Sequence, residues 1–188
     1  MLPMENTLGG TLYENLDLLD RHPGIEVVGE QQIRIIHNLI ALHGAKKETI
    51  KEIYSHPQGL AQCADYLAKE MAHAKAIPFF DTAGAVAYVK ECGDIHKAAI
   101  AGLPAAKVHG LEVLDEAIES NSSNYTRFYI ICREERSSVF RSASQVNRAS
   151  LRFTVPDRPG SLFQALLVLT KHGLNMKKLE SRPIPGKP

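Results

Sequence analysis

Apolar and polar positions alternate between short strand-like runs and helical stripes over the first two thirds of the chain. Strand-like runs lie at 25–30, 33–36, 51–54, 76–80, 97–101 and 126–132. Helical spacing separates several of these runs. Short strands that alternate with helices predict an α/β domain with a largely parallel sheet.

Polar residues mark the expected starts of the helices. Thr11 with Glu14, and Ser55 with Gln58, form capping-box patterns before apolar stripes of helical spacing. Asp81 predicts an N-cap for the helix that follows it. Each strand-to-helix junction therefore carries its own local signal.

The pattern changes after residue 134. Serines and charges dominate 135–149, which predicts a linker between a first domain at 1–134 and a second at 150–188. In the second domain, alternation at 151–155, a helix beginning at Ser161 and ending near Gly173, and an apolar run at 174–180 predict one β-α-β unit. Such a unit is too small to bury both faces of its own sheet, so we expect further chain or a second copy to cover it.

Composition narrows the class of protein. The 188 residues are 44% hydrophobic, enough for a packed core, and the net charge of +1 gives no electrostatic reason to expect nucleic-acid or membrane-surface binding. Three scattered cysteines form neither a disulfide framework nor a metal cluster, and the eight histidines lack zinc-site spacing. No apolar run approaches about twenty residues. We expect a cytoplasmic protein without a metal.

One polar string lies within a strand-like run. In an extended strand Thr126 and Phe128 face one side, and Arg127 faces the other. A hydroxyl beside an aromatic wall suits a substrate ring. Asn124 and Arg127 can bind carboxylates or brace the strand.

Two further strings lie at the edges of predicted elements. Ser55 is placed where helix N–H groups favour an anion, and Gln62 lies on the same helix face as Gln58. Earlier in the chain, Glu5 and Asn6 precede a glycine turn. Each of these polar residues is a candidate for ligand binding.

The second domain carries two strings of its own. The first is Gly160, Ser161, Leu162 and Phe163, and the second is Glu180, Ser181, Arg182 and Pro183. Gly160 permits close backbone approach at the start of a helix, which suits an amino-acid carboxylate.

Taken in order, these strings resemble prephenate dehydratase followed by an ACT domain. The resemblance implies a two-lobed periplasmic-binding-protein-like catalytic domain, incomplete at its start, and the first half of a ferredoxin-like ACT domain. It implies decarboxylating dehydration of prephenate to phenylpyruvate in phenylalanine biosynthesis, with no cofactor. Because the family pattern extends beyond both ends of this sequence, we expect weak activity from this chain alone.

The resemblance also implies roles for individual residues. Thr126 and Glu5 would be catalytic, with Glu5 either tuning a proton relay or bracing its loop. The substrate-binding residues would be Asn6, Thr7, Ser55, Gln62, Asn124, Arg127 and Phe128. L-phenylalanine would bind as effector at 160–163 and 180–183, in a homodimer or homotetramer.

Two alternatives stay open from the sequence. The substrate could be arogenate, which would yield phenylalanine directly. The chain could also be a non-catalytic amino-acid-binding regulatory fragment, against which the Thr126 and Ser55 strings argue.

Overall fold

The computed structural model describes residues 1–140 and 148–182, and the chain divides into two compact units, Met1–Arg141 and Ser142–Pro188. The strands of the first unit are β1 Leu2–Asn6, β2 Gly10–Thr11, β3 Ile25–Arg34, β4 Asn38–Ala41, β5 Glu52–Ser55, β6 Lys75–Pro78, β7 Lys97–Ala101, β8 Glu112–Asp115 and β9 Tyr125–Arg133. Its helices are α1 Tyr13–Arg21, α2 Pro57–Gln62, α3 Ala64–Lys69, α4 Thr82–Cys92, α5 Leu103–His109 and α6 Ser137–Phe140. In the described residues no helix is long and apolar enough to cross a membrane.

A four-stranded antiparallel sheet has the order β2-β1-β9-β3. Strand β1 pairs with β9 so that Asn6 lies opposite Thr126 and Glu5 opposite Arg127. The runs at 25–30 and 33–36, predicted as separate strands, are joined in the single strand β3, which ends at Arg34 where its pairing with β9 ends.

A five-stranded sheet has the order β6-β5-β7-β4-β8. Strand β5 is parallel to β6 and β7, whereas β4 is antiparallel to β7 and β8. The α/β class predicted from the sequence is confirmed, but the prediction of a largely parallel sheet is wrong because the sheets are mixed and antiparallel. Apolar clusters cover β4 and β7, where Leu39, Ile40, Ala99 and Ile100 are fully buried.

The helix starts follow local signals in part. Asp81 caps α4, its carboxylate accepting a hydrogen bond from the Gly84 N–H at 2.6 Å, as predicted. The capping box at Thr11 is wrong, because Thr11 belongs to β2 and α1 begins after Leu12 without a side-chain cap.

The predicted cap at Ser55 is also wrong. Strand β5 extends through Ser55, whose hydroxyl donates to the Ile100 carbonyl at 2.7 Å. His56 is the N-cap of α2 instead, and its Nδ1 accepts from the Gln58 N–H at 3.2 Å.

The segment predicted as a linker begins with regular structure. A short 3-10 turn spans Glu134–Arg136 and leads directly into α6. Residues 141–147 lie outside the described part of the chain, so the domain boundaries at 134 and 150 stay predictions.

The second unit is built around α7, Ser161–Lys171. Gly160, with φ +83°, is its N-cap, so the predicted cap at Ser161 is wrong. At the other end the Leu174 N–H donates to the Leu169 carbonyl and Gly173 has φ +67°, which confirms the predicted glycine end.

The predicted strands that flank α7 are wrong for the described residues. Segments 151–155 and 174–180 have no regular secondary structure. An apolar alternation becomes a strand only when a neighbouring strand accepts and donates its backbone hydrogen bonds. The assignment of 150–188 to the first half of an ACT domain therefore stays a prediction.

Candidate functional site

The site begins at the end of β1, where Asn6 lies opposite Thr126. The Asn6 side-chain oxygen accepts hydrogen bonds from the backbone N–H groups of Leu8 at 2.9 Å and Gly9 at 2.7 Å. This Asx turn fixes the amide of Asn6 at the point where the chain leaves the sheet.

Asn6 then connects two polar residues of the neighbouring strand. Its Nδ2 donates to Oδ1 of Asn124 at 2.8 Å and to Oγ1 of Thr126 at 3.0 Å. Asn124 is fully buried and the other two are 8% exposed. Polar groups this deeply buried are costly unless they are hydrogen-bonded, and here each has a partner.

The chain of contacts continues into the five-stranded half of the unit. Asn124 Nδ2 donates to Oε1 of Gln62 at 3.0 Å, and Nε2 of His37 lies 2.8 Å from the same oxygen. We call Asn6, Asn124, Thr126, Gln62 and His37 the amide network. The structure thus brings together four residues that the sequence predicted as site residues.

His37 is the member that the sequence analysis missed. It lies directly before β4, and the residue is 5% exposed. Its sequence surroundings contain no site motif, so only its position beside a fully buried strand could have drawn attention to it.

A cleft of about 300 Å³ adjoins the network. It is lined by Leu8, Gly9, Gln58, Ala61, Gln62, Ser120 and Asn121. Its volume lies at the lower end of those known for small-molecule sites. Gln58 and Gln62 share the cleft, as their spacing of four residues predicted. Gly9 lies directly against the Gln58 amide, so a side chain at this position would displace that amide.

Ser55 has a structural contact. Its hydroxyl joins β5 to the Ile100 carbonyl of β7, and it is fully buried. Gly59 leaves room for it, because a Cβ at Gly59 would lie 2.7 Å from the Ser55 oxygen. Its substrate-binding role stays a prediction.

Glu5 and Arg127 lie on the face of the sheet opposite to Thr126, since consecutive strand residues alternate. Arg127 binds Glu5 at 2.7 Å and Glu30 at 3.3 Å, which joins β9 to both of its neighbours. Burial works to lower the pKa of Arg127, but the acids Tyr129, Glu30 and Glu5 raise it overall. Of the two roles expected for Glu5, this contact favours bracing.

Thr7 and Phe128 lie next in sequence to, or two residues from, members of the amide network, but do not belong to it. The Thr7 hydroxyl donates to the Ser123 carbonyl at 2.7 Å and accepts from the Tyr125 N–H at 2.9 Å. Both hydrogen-bonding capacities of Thr7 therefore anchor the loop before β9. Phe128 is partly buried and shares the Thr126 side of β9 by strand alternation.

Cys63 belongs to the core. It is fully buried, and burial, followed by the charge of Glu119, raises its pKa to about 12. In the described part of the chain no group of three or more His, Cys, Asp or Glu side chains is arranged to hold a metal ion.

The predicted effector residues lie around α7 in the second unit. Gly160 precedes the helix, and Ser161, Leu162 and Phe163 form its first turn, with Phe163 68% exposed. Glu180 lies in the segment 174–180, and its carboxylate is 3.3 Å from Nζ of Lys178. Ser181 and Arg182 are exposed, and Pro183 lies outside the described residues.

Comparison with known proteins identifies the family of the chain. The model of the prephenate dehydratase family matches residues 1–136. Arogenate dehydratase 2 of Petunia hybrida is 40% identical over 98% of this chain and 45% of its own length. The chain thus spans about half the length of this curated relative.

Two solved structures have the same fold. A prephenate dehydratase from Arthrobacter aurescens in complex with L-Phe is 27% identical, with a TM-score of 0.78 over 98% of this chain and 61% of its own. GqqA, described as a novel type of quorum quenching acylase, is 30% identical, with a TM-score of 0.76 over 99% of this chain and 66% of its own. Because the family model covers well over half of the chain, the chain belongs to the prephenate dehydratase family.

Proposed function

We propose that the protein carrying this sequence is a dehydratase that converts prephenate to phenylpyruvate, or arogenate to phenylalanine. The observation that supports it most directly is the hydrogen-bonded chain from Thr126 through Asn6 and Asn124 to Gln62, beside a cleft of small-molecule size. Family membership supports the same reaction class.

The reaction requires little chemistry from the protein. The bond between the ring and its carboxylate breaks, and its electron pair enters the ring as carbon dioxide leaves. The ring C–O bond breaks at the opposite carbon, and the departing hydroxide takes up a proton to become water. Because the product ring is aromatic, the reaction is driven without a cofactor, and the protein needs to position the substrate and assist the leaving hydroxyl.

Thr126 is suited to assist that hydroxyl. Its Oγ1 accepts a hydrogen bond from Asn6, so its own proton is available for donation. A threonine hydroxyl is a weak acid, and we therefore assign it a hydrogen bond to the developing hydroxide rather than complete proton transfer.

The amides of Gln58 and Gln62 are suited to the substrate carboxylates. Both side chains line the cleft, and Oε1 of Gln62 is occupied by Asn124 and His37. Its NH₂ group is thereby left to donate to a ligand. Neutral amides bind carboxylates without a permanent charge that would hold the product.

Acyl hydrolysis, the activity named for GqqA, has less support here. The hydroxyls of Ser55 and Thr126 contact a backbone carbonyl and an amide, respectively. Within the described residues neither hydroxyl is hydrogen-bonded to a histidine, whereas a serine or threonine nucleophile needs a base at that distance.

The second unit is proposed to bind L-phenylalanine and to inhibit the enzyme. The support is the pair of strings at 160–163 and 180–183, together with the L-Phe complex of the Arthrobacter prephenate dehydratase. A homodimer or homotetramer is proposed on the exposure of Phe163 and other apolar side chains of this unit.

Product analysis tests the proposal and separates its two forms. The natural protein that contains this sequence is incubated with prephenate and, separately, with arogenate. Phenylpyruvate from the first or phenylalanine from the second identifies the substrate. Absence of both products, from protein whose fold is verified by circular dichroism, would contradict the enzymatic function and favour an amino-acid-binding role.

A further inference from the structure

The direction of every hydrogen bond in the amide network follows from its first member. Backbone N–H groups can only donate, so the Asn6 atom that faces the N–H groups of Leu8 and Gly9 is its oxygen. The other end of the Asn6 amide is therefore Nδ2, and it lies 3.2 Å from the Tyr125 carbonyl, which can only accept. Two independent contacts thus fix the orientation of Asn6.

This orientation determines each amide that follows. Because Asn6 presents Nδ2, the facing atom of Asn124 is its oxygen, and Asn124 presents Nδ2 to Gln62. The Gln62 atom that receives it is then Oε1. The same oxygen lies 2.8 Å from Nε2 of His37, and two acceptors do not attract, so Nε2 carries the hydrogen.

The other ring nitrogen of His37 is Nδ1. That nitrogen is buried and has no hydrogen-bond partner among the described residues. Leaving a buried ring nitrogen without a partner is unfavourable. The hydrogen bond from Nε2 to Gln62 is therefore the polar contact that the structure gives to this ring. That bond restricts the orientation of the Gln62 amide.

We propose that His37 is a positioning residue that holds the Gln62 amide with its NH₂ group directed to the cleft. Oε1 of Gln62 accepts from both Asn124 and His37, and Gln62 lines the cleft. Without His37, one hydrogen bond alone would hold the amide. A rotated amide would present its oxygen to the cleft and repel a substrate carboxylate.

Nuclear magnetic resonance tests the geometry without any assay of activity. The full chain is labelled with ¹⁵N, and long-range ¹H–¹⁵N correlations identify which ring nitrogen of each histidine carries the hydrogen. The His37 signal is assigned by its absence in His37→Gln. We expect a hydrogen on Nε2. A ring with its hydrogen on Nδ1 alone would overturn the proposal, because its Nε2 could not donate to Gln62.

Kinetics tests the consequence, and this part rests on the proposed dehydratase function. His37→Leu removes the donor, whereas His37→Gln supplies an N–H at similar reach. We expect His37→Leu to raise KM about 10-fold with little change in kcat, and His37→Gln to recover to within about 3-fold of the wild type. His43→Leu, at a histidine whose side chain is 76% exposed, is the matched control and should equal the wild type.

Equal KM values for His37→Leu and His37→Gln would overturn the positioning role. A fall in kcat alone, with KM unchanged, would do the same. If His37→Leu does not fold, the ring tautomer still decides. If the wild type turns over neither substrate, the proposed function fails, and the tautomer measurement decides the inference by itself.

Discussion

The two sheets of the first unit bury different kinds of side chain. In the five-stranded sheet, β4 and β7 are almost wholly buried, and apolar clusters cover them. In the four-stranded sheet only Met4, Asn6 and Thr126 are buried among the strand residues, and two of these are polar. The amide network joins the two sheets. The comparison indicates that the five-stranded sheet supplies most of the stability and that the four-stranded sheet contributes the polar residues Asn6 and Thr126 to the amide network.

The largest effect should come from the core of the five-stranded sheet. Ile100→Ala removes fully buried methylene and methyl groups from β7, and we expect it to lower the free energy of unfolding by about 2–5 kcal/mol. Ile130→Ala, at a 40% exposed position of β9, is the matched control and should cost about 1 kcal/mol or less. Urea unfolding measures both. Equal losses would remove the contrast between the sheets.

A smaller effect should come from the ion pairs of Arg127, on the sheet face opposite to Thr126. Arg127→Met leaves Glu5 and Glu30 without this partner, and we expect a loss of about 1–2 kcal/mol in the free energy of unfolding. If Glu5 braces the strand, the double variant Glu5→Gln/Arg127→Met should lose less than the sum of the single variants.

Additive losses would contradict coupling between Glu5 and Arg127. A large loss of turnover in Glu5→Gln with unchanged stability would instead support the catalytic role that the sequence first predicted for Glu5.

The edge of the five-stranded sheet should show a pH-dependent contribution. Asp115 accepts hydrogen bonds from Lys47 at 2.7 Å and Tyr66 at 2.9 Å. The bond from Lys47 lowers the pKa of Asp115 most, burial opposes it, and the bond from Tyr66 lowers it further. A lowered pKa in the folded state stabilises the protein above the unfolded pKa of about 4, and this contribution is lost as the pH falls through the folded value.

We therefore expect Asp115→Asn to lower the free energy of unfolding at neutral pH by about 1 kcal/mol or less. The effect is small because the side chains of Lys47 and Asp115 are each about one-third exposed. The difference from the wild type should disappear as the pH falls below the lowered pKa. Denaturant titrations of both proteins at neutral and acidic pH measure this. A difference that stays constant with pH would show that packing, and not charge, is responsible.

The smallest perturbation is chemical labelling of the cysteines. Cys63 is fully buried and burial raises its pKa to about 12, so its thiol is protonated and inaccessible near pH 8. Cys92 is exposed. Iodoacetamide followed by peptide mass spectrometry should find Cys92 modified and Cys63 intact in the native protein. Labelling of Cys63 and Cys92 at the same rate would contradict the burial of Cys63 in the core.

The sequence predicted correctly those elements that are determined by residues close to them in the sequence. Strand β7 has the bounds 97–101 that its apolar run predicted, and Asp81 caps α4 through an N–H three residues away. Ser55 was misassigned as a cap because parallel pairing with β6 extends β5 to include it. Segments 151–155 and 174–180 have strand-like alternation, but in the described residues no neighbouring strand pairs with them.

The candidate site was predictable only in part, because its contacts join residues that lie far apart in the sequence. Asn6, Gln62, Asn124 and Thr126 were found through motifs, and their convergence is a property of the fold. His37 contacts a residue 25 positions away, and a single sequence contains no signal for such a contact. The ion pair of Glu5 and Arg127 also spans most of the chain, so bracing and catalysis could not be distinguished beforehand.

The most direct test of the proposed chemistry compares Thr126→Val with Thr126→Ser. Valine keeps the shape of threonine and lacks the hydroxyl, whereas serine keeps the hydroxyl. Turnover of prephenate and arogenate is measured with the natural protein that contains this sequence, and urea unfolding verifies that both variants are folded. We predict that Thr126→Val loses at least about 10²-fold in kcat and that Thr126→Ser stays within about 10-fold of the wild type. Near-normal turnover by folded Thr126→Val would contradict the role of the Thr126 hydroxyl in the reaction.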